Sequence, residues 1–387
     1  LSVDVEPLVA WLQSVGPGAG TAEELLAEFA RRLVAAGVPV ARVAVFVRTL
    51  HPNFAGRGLF WRAEHPEAIE TTSADYQWMG SDAHRASPVH AIAASGAEIR
   101  RRLADPACRI DFPVLAELRA EGMTDYLAAP LRSISGERML ASFTTRAAAG
   151  FSDAELDGLR RVLPPFARLA EIVLLARKAR NILNAYLGEQ AGEKVLAGAI
   201  RRGDGEEIRA VIWFCDLRDS TVLADSMSRA EFLRLLNDFF ERVLGPVLER
   251  KGEVLRFIGD AALAIFPVGE RPAEACEQAL AAALEAMRLM DELNAARGRP
   301  LGFGIGLHLG DVLYGNVGTP SRIEFTVIGA AANEAARIEA LCKELGARLL
   351  VSEAVARHLS APLRSLGRHR LRGVGESVEL FTPGKKN

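Results

Sequence analysis

Asp216 ends an apolar run of Ile208, Ala210, Val211, Ile212, Trp213 and Phe214, and a polar turn from Leu217 to Thr221 follows it. An apolar run of this length fits a strand covered on both faces. A carboxylate at the end of such a strand, beside a loop that leads into a helix, is well placed for a metal ion and a polyphosphate. Asp260 repeats the arrangement. It follows Gly259 in the middle of residues 252–267, which read as two short apolar strands joined by a hairpin turn. If those strands neighbour the first, Asp216 and Asp260 converge. Two carboxylates side by side are unfavourable unless a divalent cation sits between them. Hard oxygen ligands of this number suit Mg2+ or Mn2+ carried in with a nucleotide. A third group lies at Asn333 and Arg337, four residues apart in a segment of helical composition. That spacing puts both on one helical face. An amide and a guanidinium aimed at one spot can hold a ribose oxygen and a phosphate, although an exposed helix face reads the same way in isolation.

The elements that must position these groups follow from the pattern. Residues 224–248 and 271–296 read as helices, the second rich in alanine. Residues 301–309 alternate as a strand with Gly302, Gly304 and Gly306, and 310–318 read as a turn plus a short strand. Glycine at every second strand position predicts close backbone approach, for instance by a helix. Residues 325–328 are strand-like, Gly329 breaks them, and 330–341 read as a helix. Residues 348–352 and 371–381 read as closing strands.

The chain has 387 residues, enough for two or three domains. Its 49% apolar and 25% charged residues are ordinary for a globular protein, and the formal net charge is −2. With no long basic run, binding to nucleic acid or to an anionic membrane surface is not indicated. No stretch reaches the roughly 18 uncharged apolar residues of a membrane span. No basic segment followed by an apolar one marks a signal peptide. Cys108, Cys215, Cys276 and Cys342 are scattered without metal-ligand spacing, which fits buried thiols in a reducing cytoplasm.

Residues 1–160 read as a mixed α/β domain. Thr21 is an N-cap and Gly37 a C-cap for a helix between them. Strands are expected over 40–50, 60–64, 125–132 and 138–146, and a helix begins near Ala154. This pattern resembles a GAF-type sensor domain. His84, His90 and Cys108 show no recognised metal spacing and read as exposed or locally bonded side chains. Residues 161–207 read as a helical linker. Leu169, Ile172, Ala176, Ala179, Leu183 and Tyr186 recur at three- and four-residue steps, the pattern of a dimer seam. Arg177, Lys178 and Arg180 read as a solvated face. A short helix over 184–199 precedes a charged, glycine-bearing boundary at 201–207.

Taken in order, the Asp216 loop, the Gly259-Asp260 hairpin, GIGLHLGDVLYGNVG and TVIGAAANEAARIE resemble a class III nucleotidyl cyclase catalytic domain over residues 208–387. The resemblance implies an α/β (α+β), ferredoxin-like core that works as a head-to-tail homodimer with sites at the interface. It implies that Asp216 and Asp260 hold two Mg2+ or Mn2+ ions per active site. It assigns Leu217, Arg218, Asp219, Ser220 and Thr221 to a phosphate-cradling loop. Arg256 and Thr326 take the two base-selecting positions, and Asn333 and Arg337 the ribose-positioning and transition-state-stabilising pair. Arg372 takes the place of a polyphosphate-binding lysine, and Arg348 that of a further phosphate contact. One subunit would supply Asp216 and Asp260, and the other Arg256, Thr326, Asn333 and Arg337.

The sequence also departs from the family. Arg256 stands where lysine is usual, and a planar five-donor fork is no equivalent of a point charge. Asp219-Ser220 replaces a common Gly-Phe, and Ala330 follows Gly329 where Asp or Pro is usual. The implied reaction is conversion of ATP to 3′,5′-cyclic AMP and pyrophosphate, under control of a small-molecule or protein input to the N-terminal domain. A cyclase for GTP or a pyrimidine nucleotide, and a degenerate domain that only binds nucleotide or dimerises, are the alternatives.

Overall fold

The computed structural model describes residues 3–14, 20–298 and 300–384. The chain forms two compact units, Leu1–Ala185 and Tyr186–Asn387.

The first unit opens with helices α1 (Glu6–Ser14) and α2 (Ala22–Ala35). Strands β1 (Arg42–Arg48), β2 (Gly56–Arg62) and β3 (Ile69–Ala74) follow. Three short helices, α3 (Tyr76–Met79), α4 (Asp82–Arg85) and α5 (Pro88–Ser95), lead to β4 (Ile99–Arg101), α6 (Pro113–Ala120), β5 (Asp125–Arg132) and β6 (Arg138–Thr145). Helix α7 (Asp153–Leu187) closes the set. The sheet order is β3-β2-β1-β6-β5-β4, antiparallel throughout. Thr21 caps α2 through a capping box with Glu24, and Gly37 follows in a left-handed conformation at φ 87°. The odd-numbered residues of β1 and β6, among them Val43, Val45, Ala141 and Phe143, bury against α2 and α7. There Phe29 and Phe166 stack with ring centroids 3.9 Å apart. Alternate residues face α3–α6, where Leu140, Ile92 and Leu115 form a second core. The sequence pattern did not reveal β3, β4 or α3–α6, which are short and carry weak periodicity.

Helix α7 continues through Pro164 and Pro165. Of the predicted seam, Ile172 and Tyr186 are 64% and 85% exposed. Lys178, read as solvated, is instead buried in an ion pair with Glu137 at 2.5 Å.

The second unit contains α8 (Glu189–Leu196), β7 (Gly205–Leu217), α9 (Ser220–Asp225) and α10 (Arg229–Glu249). Then come β8 (Glu253–Ile258), β9 (Ala261–Pro267), α11 (Pro272–Ala295), β10 (Phe303–Thr319) and β11 (Arg322–Ile328). Helix α12 (Ala330–Glu344), β12 (Leu349–Ser352), α13 (Glu353–Ala356), β13 (Leu363–Arg370) and β14 (Ser377–Pro383) complete it. The sheet order is β13-β14-β12-β10-β7-β9-β8, with β11 paired to β10. Its centre, β10-β7-β9-β8, is antiparallel and comes from consecutive β-α-β-β-α-β elements, the ferredoxin-like arrangement. β7 is covered on both faces. Val211, Trp213 and Cys215 pack against α10 and α11, while Ala210 and Ile212 face a smaller core with Tyr314 and Phe325.

Three expectations change. The helix over 224–248 is two helices, because Ser228 and Glu231 form a capping box that restarts the chain as α10. The turn expected at 310–318 is absent, since β10 runs unbroken for 17 residues with β7 and β11 as its partners. The strand expected over 371–381 begins only at Ser377, after a turn that uses a left-handed Gly373.

Candidate active site

Asp216 sits next to the end of β7, directly opposite Ala261 of β9. Asp260 occupies the β8–β9 turn, which Gly259 makes possible at φ 67°. The Leu217 N–H donates to the Asp260 carbonyl at 3.3 Å, which fixes the turn against β7. Asp260 directly precedes Ala261, the strand partner of Asp216, so the two carboxylates lie at the same end of the sheet. Burial first, and then the charge of Asp260, push Asp216 above the usual carboxylate range. A divalent cation would relieve this repulsion, and a pair of carboxylates plus substrate phosphates is a donor set that suits Mg2+ or Mn2+. Among the described residues, no group of three or more His, Cys, Asp or Glu side chains could hold a metal.

The loop after Asp216 divides its backbone groups. The N–H of Leu217 is committed to Asp260, and that of Arg218 to the Gly302 carbonyl at 2.8 Å. The N–H groups of Asp219, Ser220 and Thr221 have no partner among the described residues and remain free for an anion. Asp219 is left-handed at φ 55°, a conformation that glycine adopts more readily. Its carboxylate turns to Lys343 at 3.3 Å, an exposed pair of little energetic weight.

The Arg218 side chain is turned into the protein. It lies 2.5 Å from Glu339 and 3.4 Å from Asp216, and it also donates to the Glu339 carbonyl at 3.1 Å. Glu339 is 3% exposed. Burial pushes its carboxyl up to about 7, with Asp216 and Asp260 adding to the rise and Arg218 opposing it. Sequence reasoning missed Glu339. The available signal was a carboxylate at a core position of α12, alongside Ala331, Ala335, Ile338 and Cys342.

Helix α12 lies close on β10 because the strand carries glycines. A Cβ at Gly306 would stand 2.7 Å from the Ala335 carbonyl and the Glu339 nitrogen. One at Gly310 would stand 2.5 Å from the Ala331 Cβ. Of the alternate glycines, Gly306 makes room for the α12 backbone as the pattern predicted, whereas Gly302 and Gly304 make room for the Arg218 side chain, Gly304 also for the Glu339 carboxylate.

The same helix carries Asn333, which is exposed, and Arg337, which is half-buried. The Arg337 guanidinium sits beside Gly373, whose side-chain direction points 3.6 Å from Nη2. Arg372 is the adjacent residue in the chain, so Arg337 lies against the turn that carries Arg372. Neither has a carboxylate partner among the described residues. Arg348 is different: both of its terminal nitrogens face Asp291, at 2.5 and 3.2 Å.

Arg256 on β8 meets Glu324 on β11, with Nε 3.1 Å from Oε1. The approach is off the N–H axis, so the contact is an ion pair and not a well-formed hydrogen bond. Thr326, two residues along the same face of β11, is buried with its hydroxyl unpartnered. The chain thus assembles three clusters: Asp216, Asp260 and the 219–221 loop; Arg337 and Arg372; and Arg256, Glu324 and Thr326.

Residues 206–382 match the family model of the adenylate and guanylate cyclase catalytic domain. An adenylate cyclase of Anabaena cylindrica is 35% identical over 195 residues, which is 47% of this chain and 38% of that protein. An uncharacterized protein of Mycobacterium tuberculosis is 38% identical over 214 residues, 53% of this chain and 39% of that protein. The matches therefore span well under half the length of these relatives. The crystal structure of the adenylyl cyclase CyaB from P. aeruginosa aligns with 48% of this chain and 97% of its own, at 19% identity and a TM-score of 0.43. Residues 206–382, within the second unit, thus form an adenylate and guanylate cyclase catalytic domain.

Proposed function

We propose that the protein is an adenylate cyclase that converts ATP to 3′,5′-cyclic AMP and pyrophosphate as a homodimer, under the control of its N-terminal unit. The observation that carries this reading is the convergence of Asp216 and Asp260 at the end of β7 beside three free backbone N–H groups. Two Mg2+ or Mn2+ ions held there would lower the pKa of the ribose 3′-hydroxyl and shield the leaving pyrophosphate. The Asp219, Ser220 and Thr221 N–H groups donate to phosphate oxygens. Arg337 and Arg372 offset the charge that builds as the α-phosphorus changes partners. Asn333 holds the ribose for in-line attack. Arg348 is engaged with Asp291 and needs to exchange that partner before it can touch phosphate.

Two copies supply the site, with Asp216 and Asp260 from one and Arg256, Thr326, Asn333 and Arg337 from the other. Exposed apolar side chains support the dimer. Phe257 and Ile258 precede the Asp260 turn in the chain, Val222 follows the 219–221 loop, and Ile323 and Ile328 lie on β11 to either side of Thr326. On α7, Ile172 and Tyr186 add an apolar stripe for a helical seam. Among the described residues no helix is long and apolar enough to cross a membrane. All four cysteines are free, which fits the cytoplasm as the site of action.

For base choice, Arg256 donates to adenine N1 and the Thr326 hydroxyl accepts from the 6-amino group. The Anabaena relative supports ATP. The Arg256–Glu324 pair supports a second reading, GTP, because a guanidinium suits O6 and a carboxylate accepts from the guanine N–H groups. The test is a competition assay on the purified chain with Mn2+ and equal ATP and GTP. Cyclic AMP should dominate, and Asp216→Asn should abolish it. Dominant cyclic GMP would reverse the base assignment, and background pyrophosphate with every nucleotide would leave only a binding module.

A further inference from the structure

A cavity of about 700 Å³ lies in the N-terminal unit, between the sheet and helices α3–α5. This is within the size range of small-molecule sites, roughly 300–1,000 Å³. Most of its wall is apolar. Phe46 and Leu140 rise from β1 and β6, and Trp78, Met79 and Ile92 close over them from the helices.

One end is cationic. Arg132 and Arg138 are direct cross-strand partners on β5 and β6, and both line the cavity. Phe46 of β1 pairs with Leu140 of β6, so Arg48, two residues further along, lies level with Arg138 and lines the cavity too. Three arginines, all solvent-exposed, thus stand level on three adjacent strands at the cavity mouth. Like charges directly opposite one another on a sheet are destabilising. Nothing within the fold offsets them: among the described residues, Arg48, Arg132 and Arg138 have no carboxylate partner. The neighbouring cations are treated differently. Arg57 pairs with Glu23 at 3.2 Å, and Lys178 takes Glu137, the carboxylate at the cavity rim, at 2.5 Å. The fold neutralises the bystanders and leaves the row open.

We infer that the N-terminal unit binds a small amphipathic anion, with an apolar body against Phe46, Trp78 and Leu140 and a carboxylate, phosphate or sulfonate on the Arg48–Arg138–Arg132 row. A delocalised guanidinium row favours an oxyanion held by several charge-assisted hydrogen bonds. Binding would stabilise the unit most where the row is now self-repelling.

The test uses the full chain and two fluorescent probes that share one body. 1-Anilinonaphthalene-8-sulfonate carries the anion, and N-phenyl-1-naphthylamine lacks it. Both should bind saturably, one per chain, the sulfonate more tightly. Arg132→Gln/Arg138→Gln should weaken the sulfonate by at least about tenfold, equivalent to about 1.4 kcal/mol, and leave the neutral probe within about twofold. Ala93→Trp, which fills the cavity from α5, should weaken both probes. Melting curves of each variant check that the unit stays folded. Equal sulfonate affinity in wild type and the double variant would mean that the row is merely solvated and would overturn the inference. So would probe binding that Ala93→Trp leaves untouched, or no saturable binding of either probe. None of these readouts depends on cyclase activity.

Discussion

Replacing Gly306 with alanine probes how tightly the fold positions Asn333 and Arg337. The new Cβ would lie 2.7 Å from the Ala335 carbonyl and from the Glu339 nitrogen, both backbone atoms of α12. Ordinary contact begins at 3.4 Å, so α12 would have to retreat by about 0.7 Å. No rotamer change can relieve the clash, because the obstructing atoms belong to the helix itself. Overpacking of this kind costs about 1–3 kcal/mol. The helix carries Asn333 and Arg337, the proposed ribose and transition-state residues, and a misplacement of about 1 Å can reduce turnover by about 100-fold. Gly306→Ala should therefore lower the melting temperature of the second unit by several degrees and reduce kcat by about 10- to 100-fold, with a smaller change in KM for ATP. Gly269→Ala, where a Cβ meets nothing within 4 Å, is the neutral control. Calorimetry and steady-state cyclic AMP formation give both quantities. Wild-type melting and wild-type kcat in Gly306→Ala would mean that close approach of α12 to β10 does not set the catalytic geometry.

Two further outcomes follow from buried charge. Arg218→Met leaves Glu339, only 3% exposed, without its counter-cation and should destabilise the second unit by about 3–5 kcal/mol in urea unfolding. Adding Glu339→Met should restore most of that loss, and a double variant no more stable than the single would refute the pairing. In the first unit, burial holds His84 below the usual imidazole range, with His90 and Arg85 adding to the effect. The folded state therefore disfavours the imidazolium, so the contribution is fully present above about pH 6.5 and is lost as pH falls through the folded value. The melting temperature of the first unit should fall between pH 7.5 and 5.5, and His84→Phe should flatten that fall. Parallel curves for wild type and variant would exclude His84 as the source.

Legibility in the sequence tracked the kind of signal each element carries. The β7 run and the Gly259-Asp260 turn were readable because a two-sided strand and a left-handed turn leave few residue choices. The α12 face was readable from spacing, and its contact with β10 from alternating glycines. Arg218 was misread as loop backbone because its role depends on Glu339, 121 residues away, and no local pattern announces such a pair. The β10 strand was cut short because Gly310 and Gly315 imitate turn residues, whereas here they make room for α12 and for the Asp204–Gly205 backbone. The arginine row of the first unit was invisible for the same reason. Arg48 belongs to a different stretch from Arg132 and Arg138, and only strand register brings the three level.

The composite site is the central claim, and complementation tests it most directly. On the proposed roles, Asp216→Asn removes metal-binding charge and Asn333→Ala removes ribose alignment, so each variant alone should be nearly inactive. In a mixed dimer both lesions fall in one site and the other site is whole. With random exchange in an equal mixture, half of the dimers are mixed and each has one intact site. Activity should then recover to about a quarter of wild type. Both variants must first be shown to be folded and dimeric. A mixture no more active than its separate components, with heterodimers demonstrated, would contradict a site built from two chains.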